Sequence, residues 1–108
     1  MNDYQKNAIT TIVTTNDRFK DLMAYVLGLG GESGEVLEKF KKIVRDKNGE
    51  LTAQDKEDIV KELGDVLWYI AVIADELNYD LQEVADINVK KLQKRKRDNK
   101  LKGSGDNR

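Results

Sequence analysis

The 108-residue chain contains no cysteine, no histidine and no proline. Without cysteine there can be no disulfide and no thiolate metal site, so packing alone must hold the fold. Without histidine, the commonest general base and the usual zinc ligand are missing. Any metal chemistry must then run through carboxylates, a donor set suited to hard ions such as magnesium or manganese. The lack of proline, with 36% charged residues and only 6% aromatics, favours an all-helical protein. No apolar run reaches membrane-spanning length. The N-terminal "MNDYQKNAITTIV" lacks the basic start and apolar stretch of a signal peptide. These absences lead to the expectation of a cytoplasmic protein, and the length suits a single domain over residues 1–108. The formal net charge of −1 selects no partner class, although "KKLQKRKRDNKLK" at 90–102 is strongly basic.

Hydrophobic spacing supplies the elements. Residues 3–15 form a first expected helix with Ala8, Ile9, Ile12 and Val13 on its apolar side. A long periodic segment follows from Phe19 to Asp46. In it Leu22, Val26, Leu29, Val36, Phe40 and Ile43 recur at three- and four-residue steps, with Ser33 filling the one gap. "DKNGEL" breaks the period at Gly49. Thr52 reads as an N-cap, and a third helix runs to about Leu77 on a stripe of Ile59, Leu63, Val66, Ile70, Ile73 and Leu77. Asn78 is a C-terminal stop, and Asp80 with Glu83 reads as a capping box. A fourth helix places Leu81, Val84, Ile87 and Leu92 inward, and the tail from about residue 99 should be irregular. The expected architecture is a four-helix bundle of antiparallel helices.

Two acidic pairs stand out against this frame. "GLGGESGEVLEKFKK" (28–42) carries Glu32 and Glu35, and "KELGDVLWYI" (61–70) carries Glu62 and Asp65. Residues three apart share a helix face, and the short break between the two helices makes them antiparallel neighbours. Both pairs fall at comparable distances from that break, so their carboxylates could converge. Spacing alone is weak, because acidic pairs at the same interval occur at 35/38, 55/58, 80/83 and 83/86. The context differs: each of the two pairs lies among apolar residues, and the first is flanked by Gly28, Gly30, Gly31 and Gly34. Each glycine costs about 1 kcal/mol relative to alanine inside a helix. Close helix approach or room for a ligand would offset that. Facing carboxylates near a core repel, and a cation would relieve the penalty. On the residues alone, a metal site and a solvated acidic face both stay open.

The quoted segments, together with "AVIADELNYDLQEVADINVKKLQKR" and the ending "GSGDNR", resemble the MazG-like all-α nucleoside triphosphate pyrophosphohydrolases. That family's signature is EExxE, a spacer, then ExxD. Glu32 and Glu35 match the second and third glutamates, and Glu62 and Asp65 match the ExxD half. Gly31 stands where the first glutamate would be, a departure that leaves four acidic ligands. The resemblance implies hydrolysis of a nucleoside triphosphate to the monophosphate and pyrophosphate, dependent on Mg2+ with Mn2+ as a substitute. It implies Glu32, Glu35, Glu62 and Asp65 as metal ligands, and Glu32 or Glu35 as the group that orients or deprotonates the attacking water. A homodimer or homotetramer is also implied.

Further residues fit that reading. Tyr69, one turn beyond Asp65, could pack on the base or ribose, or could be an ordinary core tyrosine. Trp68 lies on another face, as core or interface. Asn88, Lys91 and Arg95 share one stripe of the fourth helix and match an NxxKL element near the phosphates in the family. They could hold the polyphosphate, or form a solvated basic helix end that suits the macrodipole. A phosphoribosyl-ATP pyrophosphatase is a second enzymatic reading. A nucleic-acid-binding helix over 90–102 is disfavoured by the absence of interleaved aromatics. An interaction domain with a purely surface acidic stripe remains a third.

Overall fold

The computed structural model describes residues 2–99, 102, 103, 105 and 106. Four helices follow one another: α1 (Asp3–Ile9), α2 (Arg18–Lys47), α3 (Ala53–Glu76) and α4 (Leu81–Arg97). The described residues are all helix, turn or irregular, in agreement with an all-α fold.

Local chemistry sets the boundaries. Asp17 caps α2 by accepting from the Lys20 N–H at 3.0 Å. α2 ends where Asn48 turns left-handed (φ 52°) and Gly49 follows at φ 79°. Glycine adopts that conformation without a Cβ penalty. Thr52 and Asp55 then form a reciprocal capping box, and Asp80 and Glu83 form another at the start of α4. Asn78, at φ 64°, reverses the chain between α3 and α4. The expected first helix over 3–15 stops instead at Ile9. The Thr10 and Thr11 hydroxyls donate to the carbonyls of Asn7 and Ala8 at 2.6 and 2.7 Å, taking acceptors that a continuing helix would use. Val13, expected inward, is consequently 89% exposed.

Three contacts fix the direction of α2 against α3. Lys47 pairs with Asp55, Lys39 with Glu62, and Gly28 meets Tyr69. Numbers fall along one helix as they rise along the other, so the two are antiparallel. α1 closes on the far end of α3 through Gln5, which is fully buried. Its Nε2 donates to the carbonyls of Ala71 and Tyr79, both at 3.1 Å, and its Oε1 accepts from the Leu81 N–H at 2.9 Å. One satisfied amide thus ties α1, α3 and the start of α4. Trp68 adds a second tie, donating from Nε1 to Thr11 Oγ1 at 2.8 Å and to the Ala8 carbonyl at 3.2 Å. Its ring meets Tyr25 and Tyr69 edge-on.

The buried apolar core is small: Ala8, Tyr25, Ile43, Ile59, Ala71, Val72 and Ala74. Several residues expected inward are exposed, namely Val26, Phe40, Leu63, Leu77, Val84, Ile87 and Leu92. Among the described residues α4 packs on α3, with no comparable packing on α2. The radius of gyration is 17.0 Å, against about 13 Å for a compact chain of this length. Leu29, Ile70, Ile73, Ala74, Leu77 and Val84 line an apolar cleft of about 200 Å³ where a closed bundle would be filled.

Candidate metal centre and active site

The antiparallel pairing of α2 and α3 brings carboxylates from both helices together. Oxygens of Glu32, Glu62 and Asp65 lie within 4.8 Å of one another. Glu32 and Glu62 are half-buried and Asp65 is exposed. Glu35, one turn from Glu32, is exposed and stands outside this trio, though its charge reaches Glu32. The Glu32 carboxyl titrates above its ordinary value. A hydrogen bond shared with Glu62 is the main cause, followed by burial and then by the charges of Asp65, Glu62 and Glu35.

A raised carboxyl pKa has a definite consequence for stability. The folded chain keeps the Glu32 proton over a pH range in which the unfolded chain has lost it. Above 4.5, the group's ordinary value, stability therefore falls as pH rises through the folded-state pKa. In chelator-containing buffer, melting temperature should climb as pH is lowered from neutrality toward that value, and Glu32→Gln should flatten the climb. Asp55 acts in a separate window. Lys47 foremost, then the Thr52 backbone, hold it down to about 2, so its contribution is lost only below 3.8. A wild-type melting profile that is flat or falls toward acid over the upper window would contradict the assignment.

Two neighbours of the trio escaped the sequence reading. Lys39 Nζ lies 3.8 Å from Glu62 Oε1, a surface-edge ion pair that partly offsets the acidic charge. Its position one turn after Glu35 and two after Glu32 was the available signal. Tyr4 on α1 is the other: burial, and then the charge of Asp65, raise its hydroxyl pKa. Nothing in the short α1 sequence marks it.

Tyr69 sits half-buried with its ring over Gly28, and a Cβ at position 28 would overlap ring atoms. Gly28 is thus the glycine that permits close approach of α2 and α3. Gly30, Gly31, Gly34 and Gly64 face open space, and a Cβ there would meet nothing. Gly28→Ala should lower the melting temperature. Overpacking costs about 1–3 kcal/mol, against roughly 1 kcal/mol that alanine otherwise adds to a helix. Unchanged stability would mean that the Tyr69 ring moves aside freely.

Asn88, Lys91 and Arg95 share a stripe of α4, exposed, half-buried and buried in turn. No hydrogen bond or ion pair among the described residues links them to the carboxylate trio. The partners of Lys91 and Arg95 lie in the tail, at Gly105 and Asp106.

The comparison with known families decides what this arrangement belongs to. The profile of the MazG nucleotide pyrophosphohydrolase domain matches residues 20–99. The chain belongs to the MazG nucleotide pyrophosphohydrolase family. The matched span runs from the start of α2 past the end of α4, so both carboxylate-bearing helices and the basic stripe lie inside the MazG domain. The chain is also 46% identical, over 92 residues, to the Gene 37 protein of Mycobacterium phage L5, covering 85% of this chain and 81% of that protein. No solved structure matches the chain. Among the described residues, no helix is long and apolar enough to cross a membrane.

Proposed function

We propose that this MazG domain hydrolyses a nucleoside triphosphate to the monophosphate and pyrophosphate with the help of a divalent cation. The observation that carries the reading is the convergence of Glu32, Glu62 and Asp65 from two helices within 4.8 Å. An all-oxygen, anionic donor set suits Mg2+, with Mn2+ as a substitute. Glu32, Glu62 and Asp65 would hold the ion, with Glu35 at its edge. When bound, the ion supplies neutralisation of phosphate oxygens and of the leaving pyrophosphate. Glu35, outside the trio, accepts the proton of the attacking water at its carboxylate while Glu32 orients that water. The new bond forms between the water oxygen and the α-phosphorus, and the bond from that phosphorus to the α–β bridging oxygen breaks. Tyr69 offers a ring face beside the site for the base or ribose. Asn88, Lys91 and Arg95 hold the β- and γ-phosphates.

A homo-oligomer, dimer or tetramer, belongs to the same reading. Its support is the open course of α4, the exposed Val84, Ile87 and Leu92, and the unfilled apolar cleft beside them. Light scattering at micromolar concentration should give a mass of at least two chains, and a monomeric mass would refute the assembly. With nucleotides as substrates, the setting is the cytoplasm.

A pyrophosphate-release assay tests the activity. It should cover the common nucleoside triphosphates and phosphoribosyl-ATP, with and without Mg2+. Release from at least one nucleoside triphosphate, abolished by chelator, is expected. Release from phosphoribosyl-ATP alone would move the assignment to that enzyme, and silence on all substrates would refute it.

A further inference from the structure

Two cations of α4, Lys91 and Arg95, are already engaged. Lys91 Nζ lies 3.0 Å from Asp106 Oδ1. Arg95 Nη2 donates to the Gly105 carbonyl at 3.0 Å and reaches Asp106 Oδ1 at 3.4 Å. The Arg95 side chain is only 6% exposed, while that of Asp106 is 81% exposed. Arg95 Nε is buried and has no hydrogen-bond partner among the described residues. Among the described residues, one carboxylate therefore faces two cations, and a buried donor is left unused. An unmade buried hydrogen bond is costly, so a pocket shaped for a lone carboxylate would not keep one. Excess positive charge and a spare donor fit an anion with more charge and more acceptor oxygens than Asp106 has, which is the chemistry of a phosphate chain.

We propose that Asp106 is a tethered stand-in for polyphosphate: in the resting chain it occupies the Lys91–Arg95 site, and the pyrophosphate portion of a substrate displaces it on binding. The inference rests on the reading of Lys91 and Arg95 as phosphate ligands. Lys91 foremost, then Arg95, hold the Asp106 carboxyl below its ordinary range, so the competitor stays charged at working pH. Because Asp106 is mostly exposed, its ion pairs are weak and its release is easy. The tail is a mild brake on binding, worth a factor of up to about fivefold.

Binding of inorganic pyrophosphate, measured by calorimetry on the full chain in metal-free buffer, tests both statements. Lys91→Ala should weaken binding. Asp106→Asn should tighten it, up to about fivefold, whereas Asp106→Glu, which keeps the charge, should match the wild type. In nitrogen-15 spectra, pyrophosphate should move the wild-type Gly105 amide toward its position in free Asp106→Asn. Weaker or unchanged binding by Asp106→Asn, with Lys91→Ala still impaired, would leave the phosphate site standing and overturn the competition. Equal tightening by Asp106→Asn and Asp106→Glu would also overturn it, since loosening of the tail rather than charge would be the cause. Wild-type affinity in Lys91→Ala would instead overturn the phosphate reading itself, and the competition with it.

Discussion

Glu62→Gln and Asp65→Asn should each lose divalent-ion-dependent turnover by about a hundredfold or more, while helical content stays at the wild-type level. The size follows from what the carboxylates do. Removing one preorganised group that stabilises transition-state charge costs about 10²–10³ in turnover. The fold should survive because neither side chain bridges to the core: Glu62 is half-buried and meets Lys39, and Asp65 is exposed. In chelator the variants should melt no lower than the wild type, and higher where repulsion within the trio is relieved. Activity and metal-free stability therefore move in opposite directions, a signature that a merely structural carboxylate would not produce. Full activity in both variants would remove the metal-centre assignment.

Lys91→Ala carries the second large effect. Loss of one charge-assisted hydrogen bond to phosphate is worth about 1.5–3 kcal/mol, or roughly ten- to a hundredfold in kcat/KM. Charge on the β- and γ-phosphates is present in the bound substrate and redistributes on cleavage, so KM should rise and kcat fall together. Lys102→Ala, an equal charge change in the exposed tail, is the control. A diffuse basic field would make the two variants alike, and added salt would erase both effects. A Lys91 effect no larger than that of Lys102 would leave the stripe as solvated surface.

Helix boundaries were legible where a side chain caps its own backbone. Thr52 with Asp55 and Asp80 with Glu83 act within four residues, so local sequence contains the whole interaction. The end of α1 was not read, because Thr10 and Thr11 compete for carbonyls that an apolar pattern would assign to a longer helix. The convergence of Glu32 with Glu62 and Asp65 could be reached by counting from the α2–α3 turn, since one tight loop fixes the pairing. The fate of the apolar stripes could not. Periodicity names the apolar side of Val84 and Ile87 but not what covers it, and both stay exposed among the described residues. Burial of Gln5 and Arg95 was equally hidden. A polar residue goes inside only when distant partners satisfy it, and those partners, at Ala71, Tyr79 and Gly105, are set by the tertiary fold.

Hydrolysis in oxygen-18 water reports which phosphorus the water attacks. With Mg2+ and an accepted nucleoside triphosphate, mass spectrometry of the products should place one heavy oxygen in the nucleoside monophosphate and none in pyrophosphate. That result requires attack at the α-phosphorus. Heavy oxygen in pyrophosphate, or a nucleoside diphosphate with labelled inorganic phosphate, would contradict the account.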